Sequence, residues 1–489
     1  MSNFFKTFFE KYTFLKTFFI IGLVQIIFLS LTYNNYFFSD DYQTLIGLKL
    51  YNLIQGEYLS LQNLFEMYTN HFIPFYLFYN QFMPDNYIYY HGIVALIFFF
   101  SSLLVFQIAF KLTNSNKISF LSSFLYSINM SIHIKPYVWN IFHFSIINSF
   151  TGLLGILFFI KYYQTNNLKK YLWLFLYITF STLSCLNFEN GLLYPIIATA
   201  IVFLFFSKKS LKKNLIGLIP IGIFLILLII TGKDPLYLAK ERLNKTYNER
   251  LTNKIEINPK TYSYFYRSQY AKRDLTGYTF RVFDNISSTL NLYSLESSLK
   301  YFSDSNTLKN YILNNYLQLI LALFIIFFIL IIIFIKNLKQ ITFQYPILKF
   351  LVLYLLTFFI YTFIFFRQDI NSALAFTSSI LISILIIEFY KNSFSFLPSL
   401  FLFFFIGSTA LYCSTGFEVI KYRENKSFVK KLSNIHYENA INKKNDKSIQ
   451  NYQDYIFLYY YLNYQDKKNY LKKYKNLKYS NFISAMMNE

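Results

Sequence analysis

This sequence predicts an all-α, polytopic membrane bundle, and three observations predict it. Apolar runs of about 18 or more residues, the length a helix needs to cross a bilayer, recur along most of the chain. Of its 489 residues, 55% are hydrophobic and only 14% are charged. Lysines collect in short clusters between the runs rather than inside them, the pattern that orients membrane helices. Each run is continuous rather than alternating over about ten residues, and lipid leaves no backbone polar group unpaired, so the runs read as helices and not as barrel strands.

The formal net charge of +22 would point to nucleic acid in a soluble chain. Here the lysines lie beside spans, so nucleic acid is not an expected partner. The 22% aromatic content goes with an abundance of Phe, Ile, Lys, Asn and Tyr, the drift of an AT-rich coding sequence, and is not read as a binding surface. The two cysteines, Cys185 and Cys413, each end a predicted span and read as packed thiols; they are too few for a disulfide framework. The N-terminus carries Lys6, Lys11 and Lys16 ahead of an apolar run too long for a signal peptide, so the first span is expected to stay as an anchor.

About eleven spans are expected from runs of crossing length. They cover 14–32, 88–110, 118–134, 138–160, 171–185, 191–206, 215–231, 312–335, 347–366, 372–389 and 396–412. Strict alternation then places Lys6/Lys11/Lys16, Lys111/Lys117, Lys161/Lys169/Lys170, Lys208/Lys209/Lys212/Lys213, Lys336/Lys339 and Lys391 on one side, expected to be the cytoplasm. The opposite side receives Asp40, Asp41, Glu57, Glu66 and Asp85 in the first loop, Glu189 in a later one, and Arg367 with Asp369 in another. The expected organisation is an N-terminal transmembrane catalytic module over 1–231, with its first extracytoplasmic loop at 33–87. An extracytoplasmic loop at 232–311 carries Arg242, Arg250, Arg267, Arg273 and Arg281. Further transmembrane helices fill 312–413, and a Lys- and Tyr-rich tail over 414–489 falls outside because the span number is odd. The expected location is a cell membrane crossed many times, with the N-terminus cytoplasmic.

The first loop is neither a span nor a linker. Ser39 can cap a helix through Asp41 to Gln55, in which Leu45, Leu48 and Tyr51 recur at helical spacing. A second amphipathic stretch, 59–69, leads into Asn70-His71-Phe72-Ile73-Pro74. Short amphipathic helices of this kind lie along a membrane interface. A carboxylate pair at a helix start is explained by the helix dipole alone. At the mouth of a membrane bundle it is also a candidate catalytic centre.

An extracytoplasmic acidic pair after span one, two interfacial helices and a His-x-x-Pro segment together resemble the GT-C superfamily of integral-membrane glycosyltransferases. Ile134-Lys135-Pro136-Tyr137-Val138-Trp139 resembles the Val-x-Trp loop of the protein O-mannosyltransferases of that superfamily, which also holds the aminoarabinose transferase-like proteins. Asn187-Phe188-Glu189-Asn190-Gly191-Leu192-Leu193-Tyr194-Pro195 resembles their Glu-x-Gly-apolar-Pro segment. Phe188 stands where the superfamily has Lys, the acid before Val-x-Trp is missing, and no tetratricopeptide repeats follow.

The resemblance implies an inverting transferase of the cell envelope that moves a sugar from a polyprenyl-phosphate donor to an extracytoplasmic glycan, lipid or protein acceptor. Asp40 or Asp41 would be the general base. Arg367, or Lys135 or a loop arginine, would neutralise the departing lipid phosphate, as a planar guanidinium fork suits it to do. His71, Trp139 and Glu189 would contact donor or acceptor; as plain alternatives, His71 packs in a turn, Trp139 anchors at the membrane boundary and Glu189 complements a helix dipole. Two adjacent acids can also hold a divalent metal, though no ligand set in the sequence requires one. Two other readings stay open: a surface-polysaccharide polymerase or ligase working through the loop arginines, and a lipid or glycolipid transporter. The transporter needs polar groups at mid-membrane, where the runs show little beyond Gln25 and Gln107.

Overall fold

The structure, a computed structural model, describes residues 13–32, 47–67, 78, 80–83, 87–130, 137, 143–187, 189–206, 215–230, 278, 281, 282, 285, 286, 288–291, 346–364, 372–391, 396, 398–410 and 413. Among them every regular element is helical. In chain order these are α1 (Thr13–Thr32), α2 (Gly47–Gln55), α3 (Leu61–Met67), α4 (Tyr87–Thr113), α5 (Asn116–Ile128), α6 (His143–Gln164) and α7 (Lys169–Asn187). There follow α8 (Leu193–Phe205), α9 (Ile219–Ile230), α10 (Ile347–Phe359), α11 (Ser372–Lys391) and α12 (Pro398–Ala410). Five helical stretches are long and apolar enough to cross a membrane: Thr13–Thr32, Ile88–Thr113, Ser145–Gln164, Ile347–Ile364 and Ser372–Tyr390. Three shorter apolar ones occupy Asn190–Phe205, Leu215–Ile230 and Pro398–Ala410. The expected span at 312–335 and the tail at 414–489 lie outside the described residues.

Turns between helices follow from local chemistry. Asn114 takes the left-handed conformation (φ 52°) that ends α4, with its N–H on the Phe110 carbonyl at 2.8 Å; Asn tolerates this conformation better than most side chains. The next residue, Ser115, caps α5 by accepting the Ile118 N–H at 3.4 Å. Between α6 and α7, Asn167 Oδ1 accepts the Lys169 N–H at 3.1 Å.

Among the described residues the most extensive helix pair is α6 with α7, and α11 is the most deeply buried span. The apolar window of α11 is 83% buried, against 22% for α1 and 28% for the Ile347–Ile364 stretch, so α11 is interior and the other two present much of their surface outward. Against α5 pack α1, α4 and α11. Its inner face is small and polar: Ser119, Ser122, Ser123 and Ser127 are all fully buried. Small residues let helix backbones approach closely in an apolar medium, where no hydrophobic force drives helices together. One serine bridges helices directly, Ser123 Oγ donating to the Ser102 carbonyl of α4 at 2.6 Å.

Glycine does the same for α6. A Cβ on Gly152 would meet the Tyr194 ring of α8 at 2.1 Å, and one on Gly155 would meet Ser181 Oγ of α7 at 2.2 Å. The α6–α7 hairpin also stacks Phe159 on Tyr177 with centroids 4.2 Å apart. The Tyr177 hydroxyl in turn donates to the Gly217 carbonyl ahead of α9.

Contacts gather particular helix ends together. At one end, the Lys16 ammonium lies over Phe120, Lys161 over Trp173 at 4.4 Å, and Lys349 over Phe205, while Lys111 and Lys161 feel each other's charge. At the other end, Phe28, Val94, Met130, Tyr137 and Ile146 form one cluster against which Cys413 packs. The Tyr137 hydroxyl donates there to Gln25 Oε1, a polar side chain that would otherwise be costly inside α1. Both thiols are free: Cys185 packs with Phe224 and Leu228, apart from Cys413.

Gly152→Ala should lower unfolding stability in detergent by about 1–3 kcal/mol, because a rigid ring must move to admit the methyl group. Gly222→Ala, whose Cβ would meet nothing within 4 Å, should leave the thermal midpoint unchanged.

Candidate functional site

Most residues singled out in the sequence, namely Asp40, Asp41, His71, Lys135, Trp139 and Arg367, lie outside the described residues. Glu189 is described in its backbone: it opens the 3-10 turn Glu189–Leu192 that leads into α8. Three features near these positions can be built from their residues upward.

The first is the turn that carries Glu189. Asn148 of α6, with its amide oriented to satisfy both ends, donates to the Ser184 carbonyl at 3.0 Å and accepts the Gly191 N–H at 3.1 Å. Ser184 Oγ returns a bond to the Asn148 carbonyl at 2.9 Å. This ties α6, α7 and the turn into one buried unit. Gly191 is required by space, since a Cβ there would meet the Ser184 carbonyl oxygen at 2.0 Å. Next to Glu189, Asn190 is buried and its side-chain oxygen has no partner among the described residues.

The second is a row of polar residues within the long loop expected at 232–311. Residues 278, 281, 282, 285, 286, 288 and 289 are helical. Arg281, Asn285 and Thr289 share one helix face by their four-residue spacing, and all are buried, Arg281 to 7% exposure. Asn285 Nδ2 donates to Thr362 Oγ1 at 2.9 Å, where the α10 ladder loosens into a π-helical turn over Ile360–Ile364. The Tyr354 hydroxyl donates to Thr289 at 3.2 Å. Asn291, in the left-handed conformation (φ 54°), donates to the Phe405 carbonyl at 3.0 Å and to Thr409 at 2.8 Å, and Thr409 donates to the Ile128 carbonyl at 2.8 Å. This part of the loop is therefore built into the bundle wall, against α5, α10 and α12. Spacing alone did not separate Arg281 from the loop's other arginines; its i, i+4, i+8 relation to Asn285 and Thr289 is the signal that could have done so.

The third is the cap formed by α2, α3 and the turn at 80–83. The expected helix 41–55 is described over Gly47–Gln55, and the expected stretch 59–69 over Leu61–Met67. Gly56 ends α2 with a left-handed φ of 75°, its N–H on the Asn52 carbonyl at 2.9 Å. Ser60 starts α3 by accepting the Asn63 N–H at 3.1 Å. Gln81 fastens the cap. Its Oε1 accepts from Asn52 Nδ2 at 2.9 Å and from the Leu59 N–H at 2.7 Å, and its Nε2 donates to the Leu59 carbonyl at 2.8 Å. The Lys49 ammonium, buried to 7% exposure, donates to the Met83 carbonyl. Burial, with the Glu57 carboxylate adding to it, pushes the Tyr51 phenol above its ordinary range, so it stays neutral at physiological pH. α2, the turn after it and residues 81–83 line an open cavity of about 510 Å³.

Polar side chains inside the helices are more numerous than the apolar runs lead one to expect. Ser and Thr on α11 account for many, and Thr377, Ser378, Ser379 and Ser383 bond back to their own helix, Thr377 to the Ala373 carbonyl at 3.2 Å and Ser383 to the Ser379 carbonyl at 2.7 Å. A self-satisfied hydroxyl is packing, not a pathway. Among the described residues no three His, Cys, Asp or Glu side chains come together to hold a metal. No family model, no curated protein and no solved structure matches this chain.

At the Glu189 turn, Gly191→Ala should speed amide exchange across residues 184–193 by about tenfold, or about 1.4 kcal/mol of local stability, as the Asn148–Ser184 tie opens. Exchange in α4 should be unaltered.

Proposed function

We propose that the protein is an inverting glycosyltransferase that moves a sugar from a polyprenyl-phosphate carrier to an acceptor outside the cytoplasm, within a bundle of about eleven spans. The observation that supports this reading is the grouping of lysines at one end of the bundle. Lys16, Lys111, Lys161 and Lys349 group at one end, which the positive-inside bias makes cytoplasmic. Asp40 and Asp41 follow α1 in sequence, and the last turns of α1, at Phe28, pack against Val94 of α4 at the other end, which this reading takes as the extracytoplasmic side. No nucleotide sugar is available on that side, so a lipid-borne donor is the chemistry that fits.

In this reaction one of the two aspartates takes the proton from an acceptor hydroxyl as its oxygen attacks the anomeric carbon. The bond from that carbon to the lipid phosphate oxygen breaks on the opposite face, so configuration inverts and the phosphate leaves with its charge. A cation must meet that charge. Arg367 remains one candidate, and Arg281, on a polar helix face, is another, because a planar guanidinium fork matches phosphate oxygens. Glu189, on a braced turn, is suited to orienting the acceptor. Lys135, Trp139 and His71 keep the contacts that the resemblance assigns them.

The same buried arginine favours one second reading, a polysaccharide polymerase or ligase that works through loop arginines without an aspartate base. Transfer from a defined polyprenyl-phosphate sugar by the purified protein separates the two. Asp40→Asn or Asp41→Asn should cut the turnover number by about 10²–10⁴-fold while the protein still inserts and binds lipid. Full activity in both variants removes the aspartate base. Loss in Arg281→Gln alone, with both aspartates dispensable, would point to the second reading.

A further inference from the structure

The cavity in the first-loop cap has a chemistry that the transfer reaction does not use. Its rim is a pair of rings, Tyr58 and Phe82, 61% and 57% exposed, with centroids 5.0 Å apart and planes tilted by 36°. Exposed aromatic faces side by side offer an apolar platform that water wets poorly. Its wall is polar and prearranged: Gln81 is held by three hydrogen bonds and holds Asn52 in turn. Asn52 is buried to 7% exposure, and its Oδ1, screened from solvent, has no hydrogen-bond partner among the described residues. Glu57 adds a carboxylate and Lys49 an ammonium to the lining. At about 510 Å³ the space lies within the about 300–1,000 Å³ typical of small-molecule sites.

A ligand that suits all of this has one apolar face and a rim of hydroxyls. That is a pyranose ring. An anionic lipid headgroup fits less well, because Glu57 opposes its phosphate and the Lys49 ammonium is buried against the Met83 carbonyl. We propose that this cavity is a carbohydrate subsite that seats one sugar ring of the acceptor, with Tyr58 and Phe82 as its platform and the Glu57 carboxylate as its hydroxyl partner. That the sugar belongs to the acceptor rests on the transferase reading above; that the cavity binds sugar does not.

The test uses the full chain in lipid nanodiscs without any donor. Methyl glycosides of glucose, galactose, mannose and N-acetylglucosamine are the probes, glycerol phosphate is the headgroup control, and saturation-transfer NMR is the readout. At least one glycoside should bind, and Tyr58→Ala and Phe82→Ala should each weaken it by about tenfold, the loss of one ring's stacking. Both rings are exposed, so both variants should fold; unchanged circular dichroism and melting confirm it. Binding of no glycoside, glycoside binding indifferent to both ring substitutions, or glycerol phosphate binding in their place would overturn the proposal. Glycoside binding without transfer from any donor would uphold the subsite and count against the transferase. Transfer with an unchanged acceptor KM in Tyr58→Ala would do the reverse.

Discussion

A polar group that enters the interior of this bundle is costly unless it finds a partner inside the protein, and that constraint shapes what lies around it. A backbone amide meets it by forming a helix. Side chains meet it in two ways here. Hydroxyls on α11 return to carbonyls three or four residues back, as Ser383 does to Ser379, and so ask nothing of their neighbours. Several amides instead act as bridges: Asn148 to Ser184 and Gly191, Asn285 to Thr362, Asn291 to Thr409, Gln25 to Tyr137. Because a bridge joins different helices, the amides fix how the helices sit.

Close approach is what makes those bridges reachable. Where α6 meets α7 and α8, Gly152 and Gly155 remove the side chains that would hold the helices apart. Along α5 the serines do the same and add a bond across to Ser102. Dispersion attraction between backbones at such short range replaces the hydrophobic force that is missing between helices in lipid. Larger residues then occupy the remaining space, Tyr194 over Gly152 and Tyr177 under Phe159. The same architecture braces the turn of Glu189, whose position depends on Gly191 being small and Asn148 being an amide.

Outside the bundle the first loop answers to a different constraint. It has few residues with which to build a core, and it places Leu48, Leu50, Ile54, Leu59 and Leu64 inside. One glutamine, Gln81, fastens the chain across more than twenty residues by bonding to both Asn52 and Leu59. The result is a small rigid cap that leaves two aromatic rings exposed and one amide oxygen unmet.

The positions of the helices were legible from the chain alone, because a continuous apolar run and a flanking lysine report length and polarity without any knowledge of neighbours. Thr13–Thr32 and Ser372–Lys391 fall within a few residues of the runs that predict them. The two short helices of the first loop were legible in part: Gly47–Gln55 falls within the periodic stretch 41–55 and Leu61–Met67 within the amphipathic stretch 59–69, while Ser39 lies outside the described residues. The polar interior was not legible. Ser123, Asn148 and Asn285 look like unremarkable interruptions until the helix that receives each of them is known. Nor was the placement of Arg281 within the bundle wall, or the cavity under Tyr58 and Phe82. Sequence spacing settles which residues share a face of one helix; only the tertiary structure decides what that face meets, since hydrogen bonds and cavities are made between segments far apart in the chain.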